Sequence, residues 1–169
     1  MEPKIDHKIE LKEKLFNFYN SNKLKINSIV VILIIILISL TFLQLNNKKK
    51  NKLISEKYIQ AGLYLASEDK VKSKNLYQEI IFSSNKFYSI LALNKILEKN
   101  LESDNNKILK YFEEAEKINL SREQKDLIIF KKSLFLIKIS NQAQGKVLLK
   151  SLIQNNSKLK SLAEEVIAK

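Results

Sequence analysis

The chain has 169 residues, and His7 is its only histidine; it has no cysteine. Nucleophile–base pairs and metal clusters built from those two residue types are therefore closed to it. Two acid pairs remain, Glu113-Glu114 and Glu164-Glu165. Adjacent side chains on a helix diverge by about 100°, so neither pair can act as acid and base on one substrate. Gly62 and Gly145 stand alone, and no glycine-rich loop can cradle a phosphate. The sequence therefore predicts a protein that is not an enzyme, with no cofactor, no metal and no small-molecule substrate. His7, in an exposed charged segment without neighbouring ligands, is expected simply to be solvated.

Charge narrows the partners further. Lys and Arg total 30 against 18 Asp and Glu, a net charge of +12, and Arg122 is the single arginine. A reader of phosphates or base edges favours the bidentate fork of arginine, so nucleic acid is not an expected partner. Attraction of this lysine-rich surface to acidic lipid head groups is expected as a secondary property. What remains is binding to proteins, and the elements that would present such a surface follow from the hydrophobic pattern.

The dominant element is a run without charge between Lys25 and Lys48, 22 residues long. As a helix it would be about 33 Å long, the thickness of a bilayer's hydrocarbon core. Ile29, Val30, Val31, Ile32, Leu33, Ile34, Ile35, Ile36, Leu37, Ile38, Leu40, Phe42 and Leu43 would face the lipid. No cleavage site of small residues follows, and no small-xxx-small pattern or ionisable group interrupts the run. It reads as a single-pass anchor at 26–47. Before it, 1–25 is a short charged segment, placed in the cytoplasm. Leu11, Leu15, Phe16, Phe18 and Tyr19 could give it one apolar helical face.

From Leu53 onward the apolar residues fall at helical spacing in seven blocks separated by two to five polar residues. Nothing between Leu45 and Leu53 breaks a helix, so the anchor can run straight into the first block. Asp104 is a plausible N-cap, and Ser121 with Gln124 makes a capping box. Two glycines and one proline leave little to punctuate strands. Leu76, Tyr111 and Leu148 overlay at separations of 35 and 37 residues, each with an apolar residue four positions on. A period near 34 is that of tetratricopeptide hairpins, none of which can bury its apolar face alone. The fold class is accordingly all-α: one N-terminal transmembrane helix, then a degenerate tetratricopeptide-like αα-hairpin solenoid over 48–169. Such a solenoid lines a concave groove with the first helix of each pair. Tyr64, Asn94, Lys95 and Lys131 are its candidate partner residues by position, while Tyr58, Tyr77, Tyr88 and Tyr111 are expected to pack with their hydroxyls at the surface.

Three stretches carry a resemblance to a known family: the Leu/Phe-rich, Asn- and Lys-ended preface Leu11–Lys23; the span leading into a helix with Ala61-Gly62 and Ala66-Ser67; and Asn85-Lys86-Phe87-Tyr88-Ser89-Ile90-Leu91-Ala92-Leu93, which looks like a Tyr-x-x-x-Ala-x-Leu helix start. The layout resembles the ancillary subunit of the SecYEG translocon. That resemblance implies a bacterial inner-membrane protein, single-pass, with its helical domain in the periplasm. The implied partners are the Sec translocon, a membrane-anchored periplasmic chaperone and exported clients. The family usually continues with a further helix pair beyond 157–169. One feature points the other way: Lys48, Lys49, Lys50 and Lys52 crowd the C-terminal flank of the span, which read locally puts that flank in the cytoplasm. Two further readings follow: a scaffold of a division or cell-wall complex, or a cytoplasm-facing adaptor at the membrane surface.

Overall fold

The computed structural model describes residues 6–168; the side chains of 6–10 and of Ile26 lie outside the described residues, so the expectation for His7 does too. The chain forms two compact units, Met1–Lys49 and Lys50–Lys169. Helix α1 runs from Asp6 to Ala66 and contains residues of both.

In the first unit, α1 includes one stretch long and apolar enough to cross a membrane, from Asn27 onward, and none of it is buried. Ile29 through Ile38 are all roughly half exposed or more, on every side of the helix. A core helix of a soluble domain would bury one face, and this one buries none. Its hydroxyls are satisfied within the helix: Ser28 donates to Leu24 O (2.9 Å), Ser39 to Ile35 O (2.9 Å) and Thr41 to Ile38 O (2.8 Å). No side-chain donor among these three is left unpaired for hydrocarbon to meet.

In the second unit, the end of α1 is followed by α2 (Lys70–Phe82), α3 (Tyr88–Glu98), α4 (Asn105–Lys117), α5 (Arg122–Lys138), α6 (Gln142–Gln154) and α7 (Lys160–Ala168). From α2 to α7 each helix packs on the next in sequence, and α2 also packs on α4, which is how stacked hairpins arrange themselves. No strand occurs among the described residues. Asp104 and Ser121 cap as expected: Asp104 Oδ1 accepts from Asn106 N at 2.9 Å, and both halves of the Ser121–Gln124 box are made. The last helix starts three residues later than its apolar pattern, because Ser157 Oγ accepts from Leu159 N (3.2 Å) and holds 157–159 as a turn.

The 35- and 37-residue register is visible in what is buried. Ser73, Ile108 and Gly145 are equivalent core positions on α2, α4 and α6; Tyr77, Phe112 and Leu149 follow four residues on, then Ile80, Ala115 and Leu152. Tyr77 and Tyr111 are each 1% exposed, so their hydroxyls are not at the surface as expected. Both stand on second helices of hairpins, whose core face is covered by two neighbours rather than one. Tyr58, on the end of α1 that belongs to this unit, has its ring 5.5 Å from both Tyr77 and Tyr88.

Five of the helix ends turn on residues with positive φ that are not glycine: Glu68, Ser84, Asn100, Ser140 and Asn156. After four of them the next N–H reaches back five residues, as in Asp69 N to Tyr64 O and Leu101 N to Ile96 O, at 2.9 and 3.0 Å. These are Schellman closures, which satisfy helix-end carbonyls that would otherwise be orphaned. The left-handed conformation costs such residues about 1 kcal/mol relative to glycine.

Candidate functional site

An open cleft of about 620 Å³ lies against α3 and α5, with the turn between α3 and α4 along one side. Its lining from α5 is Lys131, Leu134, Phe135 and Lys138, spaced i, i+3, i+4 and i+7, which is one face of the helix. From α3 come Asn94, Leu97 and Glu98, at the same kind of spacing. First helices of hairpins therefore supply most of the lining, as expected of a concave groove.

Asn94 and Lys131 are brought together: Lys131 Nζ donates to Asn94 Oδ1 at 2.6 Å. Lys131 is half buried, and that burial pulls its ammonium below the ordinary lysine range. Lys95 neighbours Asn94 in sequence but is turned to Glu98, 3.1 Å away. Tyr64 is elsewhere, on α1, where the Lys72 ammonium of α2 stands 5.3 Å from its ring centre. Of the four residues selected by position, two thus meet in the cleft, one bonds a residue of its rim, and one does not reach it.

Glu102 is a residue that sequence reasoning passed over. It lies in the α3–α4 turn, its side chain 4% exposed. Oε1 accepts from Ser103 N (3.0 Å) and Asp104 N (3.1 Å), while Oε2 faces Lys74 Nζ at 3.5 Å and Lys107 Nζ at 4.0 Å. Burial alone would push its carboxyl up; the backbone N–H of Asp104, the Lys74 charge, the Ser103 N–H and Lys107 outweigh it and hold the carboxyl low. The same charge, added to burial, pushes the neighbouring Tyr111 phenol up. A glutamate two residues before an aspartate in a short interhelical turn carries no local sign of burial, and its partner Lys74 comes from α2, 28 residues earlier in the chain.

Glu114 is paired with Lys117 at 2.7 Å and Glu164 lies 4.0 Å from Lys160. Among the described residues no group of three or more His, Cys, Asp or Glu could hold a metal ion. Arg122, the lone arginine, donates to the Asn155 carbonyl at the end of α6 and so serves the hairpin stack. A second, smaller cleft between α4, α5 and α6 is lined by Leu109, Val147 and Leu148 among others, with Lys132 at its edge paired to Glu116 at 3.0 Å. No family of known proteins has a model that matches this chain, and neither the curated proteins nor the solved structures contain a match.

Proposed function

We propose that the chain is a membrane-anchored protein–protein interaction module, an accessory subunit at the Sec translocon that links it to a periplasmic chaperone and exported clients. The observation that carries this reading is the pairing of one lipid-compatible helix with a hairpin stack that presents an open, mixed apolar and charged cleft. Confinement to the membrane plane would raise the effective concentration of the cleft near emerging polypeptides, with no chemistry required of it. The choice of translocon rather than another envelope machine rests on the resemblance of Leu11–Lys23, Ala61-Gly62 and Asn85–Leu93 described above. The lysines at 48, 49, 50 and 52 favour a second reading, a cytoplasm-facing adaptor at an acidic lipid surface. A photocrosslinking residue at Leu134, on the cleft lining, tests the first reading in cells. Adducts with translocon or chaperone subunits support it; adducts dominated by division or cell-wall proteins replace it with the scaffold alternative.

A further inference from the structure

Among the described residues of the first unit, one apolar face lies outside the span. Leu11, Leu15, Phe18 and Tyr19 stand at i, i+4, i+7 and i+8 of α1, one side of the helix, and are 59%, 66%, 62% and 41% exposed. Glu13, Asn17 and Asn20 occupy the opposite side. Phe16 flanks the apolar face, and Lys12 falls between Phe16 and Tyr19, where its long stem can cover apolar surroundings while the ammonium stays in water. A face of leucines and aromatic rings left in water is unfavourable, and it wants a cover.

What covers it follows from its place in the chain. The apolar stretch of α1 begins at Asn27, in the same helix, so a copy whose span is in a membrane holds this face at that membrane's surface. Continued without a bend along the membrane normal, the helix would carry Leu11 roughly 24 Å past Asn27. The head-group layer is only about 5–8 Å deep, so the face would then stand in water. The residues between are suited to a bend. Asn20, Ser21 and Asn22 are weak helix formers, and Asn22 Nδ2 donates to the Phe18 carbonyl at 3.1 Å, a side-chain bond that competes with the backbone ladder. We propose that residues 11–19 form an interfacial arm: in the bilayer α1 turns at 20–22, and Leu11, Leu15, Phe18 and Tyr19 lie in the head-group and upper acyl region beside the span. The contact is apolar and needs no charged lipid. It rests only on the span crossing a membrane, whichever machine the hairpin domain serves. Such an arm fixes the depth and rotation of the span, as interfacial anchors do.

The chain has no tryptophan, so a single one reports on a single position. Full-length Phe18→Trp, Asn17→Trp and Phe42→Trp proteins are placed in phosphatidylcholine nanodiscs, with and without lipid brominated near the head-group end of its acyl chains. Phe42 lies in the span, and quenching there shows that the anchor is inserted. Phe18→Trp is expected to emit at shorter wavelength than Asn17→Trp and to lose at least twice the share of its emission to brominated lipid. Quenching of Phe18→Trp no greater than that of Asn17→Trp, with Phe42→Trp quenched, overturns the proposal and leaves the anchor standing. A blue-shifted but unquenched Phe18→Trp also overturns it, since protein and not lipid then covers the face, a second copy included. Phe42→Trp left unquenched removes the anchor and the proposal with it.

Discussion

The two glycines make one substitution with opposite outcomes. Gly145 is on the buried face of α6, where a Cβ would lie 2.6 Å from Ile137 Cγ1 and 2.8 Å from the Ser133 carbonyl oxygen of α5. Ile137 can swing its side chain away, but Ser133 O belongs to the backbone of α5 and yields only if the two helices separate. Overpacking a close crossing costs roughly 1–3 kcal/mol, with a backbone contact toward the upper end. Alanine in place of glycine returns about 1 kcal/mol of helix propensity. Gly145→Ala should therefore lose about 1–2 kcal/mol net, or roughly 3–8 °C in melting temperature for a domain of this size. Gly62, midway along the packed end of α1, has nothing nearer to a built Cβ than Tyr77 Oη at 3.8 Å, an ordinary contact. Gly62→Ala should keep the propensity gain and stabilise by about 0.5–1 kcal/mol. Thermal unfolding of the full chain, followed by circular dichroism at the helical band, reads both. The reasoning is refuted if Gly145→Ala melts at or above the parent temperature, since the two helices would then not touch through that glycine.

Further outcomes follow from the turns and the buried acid. Glu102 is held below its ordinary range in the fold, so its contribution to stability is complete above the unfolded glutamate pKa of about 4.3 and is lost as pH falls through the folded value. Glu102→Gln should flatten that acid limb, and Glu102→Ala should cost about 2–3 kcal/mol at neutral pH by removing the acceptor of two backbone N–H groups; urea titrations at several pH values measure both. Asn100→Gly and Ser140→Gly, at positive-φ turn positions, should each raise the melting temperature by relieving up to about 1 kcal/mol of backbone strain. Ser121→Ala breaks the capping box of α5 and should cost about 1 kcal/mol, seen as earlier amide exchange at 122–125.

The helices were legible because burial imposes its period on the sequence. The charge-free run announced the one stretch among the described residues long and apolar enough to cross a membrane, and Asp104 and Ser121 announced two helix starts, since caps act through residues two or three positions away. The helix ends were less visible: Glu68, Ser84 and Ser140 adopt left-handed backbone without being glycine, and nothing local distinguishes them from their neighbours. The repeat register also concealed its own logic, because Ser73 and Gly145, with almost no hydrophobic signal, occupy the same core position as Ile108. Small size there reflects a near neighbour on the adjoining helix, which a one-dimensional pattern does not encode. In the cleft, the hairpin rhythm placed Asn94 and Lys131 on groove-facing helices, yet their contact spans 37 residues and forms only when α3 and α5 pack. Tyr64, selected by the same rule, stands beside Lys72 of α2 and does not line this cleft.

The central claim, an anchor with its hairpin domain held at the outer face of the membrane, is tested most directly by topology. The cysteine-free chain allows a single reporter, and Ser161, exposed on α7, suits it better than the buried Ser157 that caps the turn before that helix. Intact cells carrying Ser161→Cys are treated with a maleimide that crosses the outer but not the inner membrane. Labelling in intact cells is the predicted result. Labelling only after the inner membrane is opened would place the domain in the cytoplasm, contradict the account, and vindicate the lysines that follow the span.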